Sequence, residues 1–207
     1  MRGRLAFERA YHVPRETMQR LDIYSDLLHE WQTRMNLVAH STLDCVWERH
    51  FADSAQLASI PVDIPNNALW LDIGSGAGFP ALVLALFVPG QFHLIEATGK
   101  KCQFLTAAAN ALGIVERVTV HNCRVEDFPP LKVNFITARA CAPLEKLFAW
   151  GEPHGDTARW LLAKGRTAAD EVAAARLVFD FNCRLVASRT DPEARIVDAS
   201  GVRRRRA

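Results

Sequence analysis

The 207-residue sequence is informative first through what it lacks. It has no stretch of eighteen or more uninterrupted apolar residues, so no membrane-spanning helix is predicted. The segment Met1 to Arg9 lacks the apolar run of a secretion signal, which points to a cytoplasmic protein. Cysteine is scarce and scattered: Cys45, Cys102, Cys123, Cys141 and Cys183 are odd in number, with no Cys-x-x-Cys and no Cys/His cluster at zinc spacing. A disulfide framework and a structural metal site are thereby excluded, and most of the five are expected to be small core hydrophobes in a reducing compartment. No internal repeat or low-complexity segment is visible. Nor does one sign of charge dominate, since 25 basic residues face 23 acidic ones for a net charge of +2. Arg203 to Arg206 carry that excess; without them 21 basic residues face 23 acidic ones, a balance of −2. Bulk charge therefore does not mark a nucleic-acid binder, and any such contact must come from local patches. The arginine run reads either as a phosphate contact or as a solvated tail.

With 49% hydrophobic residues, the chain can build one α/β domain with a core and a short appendage, but not two full domains. Leu21, Tyr24, Leu28, Trp31 and Met35 recur at three- and four-residue steps and predict an amphipathic helix over residues 15–35. A second helix is predicted from about Thr42 to Ser59, and Pro61, Pro65, Asn66 and Asn67 mark a linker. Residues 1–65 thus read as a helical cap. From Leu69 strands and helices alternate: strands at 69–73, 92–96, 118–121, 133–138, 160–163, 184–187 and 194–197, helices at 80–88 and 100–112. The expected fold is α/β, with a mostly parallel sheet and helices on both faces, over residues 66–202, followed by a basic tail at 203–207. In such sheets ligands bind at the carboxyl ends of the strands.

The strongest signal lies at the first of these ends. Asp72-Ile73-Gly74-Ser75-Gly76-Ala77-Gly78-Phe79-Pro80 follows a strand and precedes a helix. Three glycines let the backbone turn sharply and approach a ligand, and the N–H groups of the following helix favour a negative group. The dinucleotide fingerprint G-x-G-x-x-G is not matched, because Phe79 stands where its third glycine would be. The acidic start at Asp72 and the closer glycine spacing resemble the first motif of Rossmann-like, class I methyltransferases. In those enzymes the acid ending the second strand holds both ribose hydroxyls of S-adenosyl-L-methionine; that acid would be Glu96.

The resemblance extends beyond the loop. Asn36-Leu37, Arg49-His50-Phe51-Ala52-Asp53-Ser54, Asp72 to Pro80, Lys100-Lys101 with Phe104-Leu105, Arg124-Val125-Glu126, Ala138-Arg139-Ala140 with Ala142-Pro143-Leu144, and Lys164-Gly165 follow one another in order and spacing. Together they resemble the bacterial 16S ribosomal RNA guanine-N7 methyltransferase family, across roughly residues 25 to 165. The resemblance implies a cofactor site drawing on Asp72, Gly74, Gly76, Gly78, Phe79, Glu96, Val125, Glu126 and Arg139. Gly74 and Phe79 would line the pocket, Val125 and Glu126 would lie against the adenine, and Arg139 would sit near the methionine part or the target base. The partner implied is 16S ribosomal RNA or the small ribosomal subunit, and a monomer is expected. Arg49, His50, Asp53, Lys100, Lys101 and Lys164 are the candidate RNA-side residues; no metal is expected.

The same residues also have plainer physical readings. Arg49 and Asp53, four apart, fit an intrahelical ion pair as well as a polar edge overlooking the strand ends. Lys100 and Lys101 open a helix against its dipole, so they are either solvated or held there to meet phosphates. Lys164-Gly165 follows a strand and either faces the crevice or does not. Arg139 ends an apolar strand and needs an acceptor partner. Guanine N7 carries a lone pair and no proton, so its methylation needs alignment and water exclusion, not a general base; Arg139 is accordingly expected to position, with guanine O6 as its acceptor. Asp127-Phe128-Pro129-Pro130 has the wrong order and place for an exocyclic-amine methyltransferase motif and reads as a turn. Cys141 is the one conceivable nucleophile for pyrimidine-C5 chemistry. A small-molecule methyltransferase and a non-catalytic RNA-binding protein are the alternative readings.

Overall fold

Alternation of side chains along the apolar segments builds the sheet. In the computed structural model, which describes residues 3–61, 63–139 and 141–206, the strands are β1 (Leu69–Ile73), β2 (Gln91–Ile95), β3 (Val118–His121), β4 (Phe135–Arg139), β5 (Arg159–Lys164), β6 (Phe179–Ala187) and β7 (Arg195–Arg204). They form one sheet in the order β3-β2-β1-β4-β5-β7-β6. The first five are parallel, and β7 runs antiparallel to β5 and β6. Because successive side chains point to opposite faces, Trp70 and Leu161 enter one core while Leu71, Ile73, Trp160 and Leu162 enter the other. On the first face lie α1 (Gly3–Tyr11), α2 (Arg15–Gln32), α5 (Ala81–Phe87) and α6 (Gly99–Ala111); on the second lie α7 (Leu144–Gly151) and α8 (Ala168–Ala175). The chain winds outward from β1 in both directions, so the carboxyl ends of β1 and β4 flank the switch point where such sheets open a crevice. The mostly parallel α/β sheet expected from the strand–helix alternation is the fold observed.

The N-terminal helical region follows the sequence less closely. α2 buries Met18, Leu21, Tyr24 and Leu28 as its periodicity predicts, but it stops at Gln32. The buried Gln32 amide explains the stop: its Oε1 accepts from Leu37 N and Val38 N at 2.9 and 3.1 Å, and its Nε2 donates to Val38 O at 2.9 Å. These bonds satisfy a turn that an extended helix would have replaced. The single helix expected over 42–59 is instead α3 (His40–Leu43), a π-helical turn (Trp47–Ala52), α4 (Asp53–Ala55) and a 3-10 turn (Gln56–Ser59). The wider π turn lets Trp47 and Phe51 pack edge to face at 4.9 Å beneath Phe7 while His50 stacks on Phe79, also at 4.9 Å.

Two other expectations change. Only Cys102 is buried; Cys123 and Cys183 are half-buried, and Cys45 and Cys141 are exposed. The arginine run is not all tail, because Arg203 and Arg204 belong to β7, where they pair with Asp180 and Phe179 of β6. Ala140 of the Ala138-Arg139-Ala140 motif and Ala207 of the tail lie outside the described residues. No helix among the described residues is long and apolar enough to cross a membrane.

Tyr24 joins the helical region to the glycine loop. Its hydroxyl donates to Ala77 O at 2.5 Å, and its ring stacks on Phe79 at 5.2 Å. Gly78, at φ +84°, leaves room for that contact, since a Cβ there would meet Tyr24 Oη and Leu82 Cδ1, each at 2.5 Å. Gly78→Ala is expected to cost about 2–4 kcal/mol from left-handed strain and overpacking, read as a lower midpoint in urea unfolding. A change below about 0.5 kcal/mol, the usual range for a surface substitution, would contradict this packing.

Candidate active site

The crevice at the strand ends encloses about 580 Å³, within the range of small-molecule sites. The loop after β1 forms its floor, the end of β2 and residues 37–56 form its sides, and the hairpin joining β6 to β7 closes the rim. Gly74 and Gly76 adopt φ of +69° and +56°. At Gly74 a Cβ would strike Cys141 Cβ at 2.9 Å, whereas at Gly76 it would meet only Gly74 O at 3.8 Å. Gly74 is thus required by packing, and Gly76 presents bare backbone to open space.

Two buried carboxylates sit beside this loop in different states. Glu96 lines the crevice; its Oε2 accepts from Gly76 N at 2.9 Å and its Oε1 from Thr98 N at 2.8 Å. Each oxygen keeps a further lone pair for a ligand hydroxyl. Asp72 lies under the loop, 1% exposed, with Oδ1 accepting from Thr137 Oγ1 at 2.7 Å and Oδ2 lacking any partner among the described residues. Desolvation raises its pKa from 3.8 to about 6, against the opposing pull of Thr137, Ser75 and Arg139.

Arg139, at the end of β4, ties the sheet to the helical region. Its Nη1 donates to Arg49 O at 3.0 Å and to Asp53 Oδ2 at 3.4 Å, its Nη2 donates to His50 Nδ1 at 2.9 Å, and its guanidinium lies 4.8 Å from the Phe79 ring centroid. Arginine cannot accept a hydrogen bond, so His50 Nδ1 must be the acceptor. The His50 proton is then on Nε2, which donates to Thr42 Oγ1 at 2.9 Å, and Thr42 Oγ1 donates onward to Ala39 O at 2.8 Å. Burial, Arg139 and Arg49 lower the His50 pKa to about 3, so the ring is neutral at physiological pH. Asp53 serves a second neighbour as well: its Oδ1 accepts from Thr190 Oγ1 at 2.8 Å, which fixes the β6–β7 hairpin against the crevice.

The anticipated residues therefore fall into three groups. Arg49, His50, Asp53, Gly74, Gly76, Phe79, Glu96, Lys101, Arg139 and Lys164 converge on the crevice. The intrahelical Arg49–Asp53 pair, the plainer of the two readings, is not formed: Arg49 meets Asp191 at 3.4 Å and Asp53 meets Arg139 at 3.4 Å. Lys164 faces the crevice but is tied to Glu171 at 2.8 Å and to Ala142 O at 2.5 Å. Asp72 and Gly78 lie behind the loop, outside the crevice wall. Val125 and Glu126 form a 3-10 turn beyond Glu96, one buried and the other exposed, linked to the β2 end through Asn122, which donates to Glu96 O at 3.2 Å. Lys100 is exposed and forms no ion pair among the described residues. Thr42, Thr137, Thr190 and Arg195 were not anticipated, since lone hydroxyls and a strand-start arginine carry no spacing signal. Cys141 borders the crevice and the residue as a whole is exposed, but its Sγ is turned inward onto Ile73 O at 3.3 Å, and desolvation there with the Asp72 charge raises its pKa to about 11, so its thiol stays protonated.

A glycine loop at a switch point, with an acid at the end of the next strand, is shared by many enzymes, and comparison narrows the set. The profile of the family described as rRNA small subunit methyltransferase G matches residues 17–189. The chain belongs to that family. Ribosomal RNA small subunit methyltransferase G of Methylorubrum populi is 43% identical over 211 residues, covering 99% of this chain and 97% of its own. That of Rhodospirillum rubrum is 40% identical over 200 residues, covering 96% and 98%. Among solved structures, a geranyl diphosphate methyltransferase in complex with GPP and sinefungin aligns with a TM-score of 0.62 at 12% identity, over 90% of this chain and all of that one. An rRNA methylase from Streptococcus thermophilus aligns with a TM-score of 0.54 at 14% identity, over 72% and 94%. These likenesses show the class I methyltransferase fold. The small subunit methyltransferase G profile spans Tyr24, the glycine loop, Arg139 and Lys164, and ends before β7. The chain is thus an enzyme, a methyltransferase.

The raised Asp72 pKa has a signed consequence for the ligand-free protein. A folded pKa above the unfolded one contributes stability that is present below about pH 4 and lost as pH rises through about 6. At pH 8 the ionised, unpartnered Asp72 is expected to cost roughly 3 kcal/mol or less. Asp72→Asn keeps an acceptor for Thr137, so it is expected to raise the ligand-free melting temperature at pH 8 and flatten its pH dependence between about 4 and 6 while weakening cofactor binding. An Asp72→Asn protein less stable than the parent at pH 8 would contradict the unpaired charge.

Proposed function

We propose that the chain transfers a methyl group from S-adenosyl-L-methionine to N7 of a guanine in 16S small-subunit ribosomal RNA, acting as a cytoplasmic monomer. The observation that carries the reading is the half-buried Arg139 at the mouth of a methyltransferase crevice, with no deprotonated thiol beside it among the described residues. Large exposed hydrophobics are single and scattered over different elements, Leu5, Ile23, Val115, Leu177 and Leu185, which supports a monomer.

The residues present fit the cofactor. The unpartnered Asp72 Oδ2 is a buried anion that a cationic group nearby would stabilise. Glu96 has free lone pairs for a diol, and Gly76 leaves its backbone clear. Glu96, Asp72 and the loop of Gly74 to Phe79 would hold the cofactor, with Val125 and Glu126 bordering its adenine end. When bound, S-adenosyl-L-methionine supplies an electrophilic methyl carbon on its sulfonium.

The rest of the chemistry falls to positioning. Three of the five N–H donors of Arg139 are bound to Arg49 O, Asp53 and His50. The remaining two are available to guanine O6, which would leave N7 free to react and meet the charge developing on the base. Phe79 and the neutral His50 form an apolar wall that keeps water from the reacting atoms. Arg49 and Lys101 line the same opening and suit the flanking phosphates, with Lys100 beyond the rim, while Lys164, held by Glu171 and Ala142 O, shapes the crevice wall. No side chain needs to remove a proton, since N7 has none. Pyrimidine-C5 chemistry is not favoured, because the Cys141 thiol has a pKa of about 11 and no base beside it.

The test is to supply radiolabelled methyl donor with small-subunit RNA, whole subunits or transfer RNA and digest the product to nucleosides. Label is expected in 7-methylguanosine from small-subunit RNA. It should fall about 10²-fold in Arg139→Ala and persist in Cys141→Ser. Label in 5-methylcytidine, or none in any RNA while the donor still binds, would overturn the reading.

A further inference from the structure

The arginine run has a structure that the crevice does not account for. β7 begins at Arg195, which lines the crevice beside Lys164, and ends at Arg204, past the amino end of β5, where Arg159 pairs with Ser200. Ten residues of strand place the two ends about 30 Å apart. At the far end the run is held in place. Arg205 N donates to Val178 O at 2.9 Å, Arg204 N to Glu152 Oε1 at 2.7 Å, and Arg205 Nη1 to Arg176 O at 3.0 Å.

A trough of about 620 Å³ opens there, bordered by Arg176, Arg203, Arg205, Asp180, Phe181 and Gly201. A β-bulge shapes it: between the Asp180–Arg203 and Asn182–Ser200 pairs, Gly201 and Val202 oppose the single residue Phe181. Gly201 takes φ +63°, the conformation of a glycine bulge. Two arginines lie over aromatic rings, Arg176 at 4.9 Å from Phe181 and Arg204 at 5.3 Å from Phe179. Stacking and backbone anchoring reduce the freedom these side chains would lose on binding. Arg176 and Arg203 to Arg206 are all exposed, five guanidinium groups against the carboxylates of Asp180 and Glu152.

We propose that this trough is a second RNA-binding surface, which grips phosphates of the ribosomal RNA about 30 Å from the methylated base. The proposal rests on the RNA reading of the crevice. Charge decides the occupant. Outside the arginine run the sequence carries a net charge of −2, so the run supplies the chain's positive excess, and Arg203 and Arg205 of the run border the trough beside Arg176. Arginine forks with stacked aromatics and no apolar groove suit a phosphodiester backbone. A substrate engaged at both ends of β7 must reach across about 30 Å, which favours an extended or structured stretch of small-subunit RNA over a fragment of a few nucleotides.

The experiment measures binding of the full chain to small-subunit rRNA at several salt concentrations, with methyl transfer measured in parallel. The triple variant Arg203→Gln/Arg205→Gln/Arg206→Gln leaves the crevice untouched and is expected to reduce the slope of log affinity against log salt by about two. Its KM for rRNA should rise about tenfold, with kcat and donor affinity unchanged. Asp180→Asn removes the carboxylate from the trough and should tighten rRNA binding several-fold, a gain that a folding defect would not produce. An unchanged salt slope in the triple variant with no gain in Asp180→Asn would overturn the proposal. So would lost binding to whole subunits with unaltered binding to naked rRNA, which would assign the trough to a protein partner. Because binding is read separately from transfer, a parent chain that binds rRNA through the trough yet methylates none of it would count against the crevice reading alone.

Discussion

A guanidinium half-buried at the end of a parallel strand must find acceptors, and in this protein the strands supply none of those it uses. Arg139 takes its acceptors from the π turn, Arg49 O and His50 Nδ1, and from the start of α4, Asp53 Oδ2. Leaving a buried cation unpaired would cost several kcal/mol, so the helical region is held over the strand ends by charge as well as by its apolar face. From that bond the other features follow. The π turn faces the sheet, His50 is fixed as the neutral Nε2 tautomer over Phe79, and Asp53 passes the constraint to the β6–β7 hairpin through Thr190. The crevice is enclosed because one arginine cannot be satisfied otherwise.

In the proposed cofactor site the two carboxylates beside the glycine loop would divide the work of binding. Glu96 is bonded by two backbone N–H groups and retains open lone pairs on the crevice side. Asp72 is buried with one bare oxygen and a pKa raised to about 6. In the ligand-free fold the second group is a liability, and in the proposed site a cationic ligand nearby would remove it. Stability withheld in the empty state would then become affinity in the filled one, a trade common at sites that bind charged ligands.

Much of this was legible in the residues. The strand–helix alternation from Leu69 gave the α/β class, and the spacing of Gly74, Gly76 and Gly78 before an apolar helix marked the loop. Tyr24 was legible as a buried face residue, but not its hydroxyl bond to Ala77 O, which is a contact across 53 positions of sequence. The π turn escaped because a period of 3.6 fits Thr42 to Ser59 well; its cause is the tertiary demand of Trp47, Phe51 and His50 for different neighbours. α1, α7 and α8 escaped as well: none is longer than nine residues, too short for periodicity to stand out. Arg203 and Arg204 read as tail because charge hid their pairing with β6, which lies some twenty residues earlier in the chain.

The central claim is that the protein methylates a ring nitrogen by holding it in place, with no group taking up a proton. The most direct measurement is the single-turnover rate of methyl transfer to small-subunit ribosomal RNA as a function of pH, at saturating donor. The account predicts a rate that is level from about pH 7 to about 8.5, since N7 has no proton to lose and His50, with a pKa of about 3, does not titrate there. A rate that climbed about tenfold per pH unit across that range would reveal a required deprotonation and contradict it.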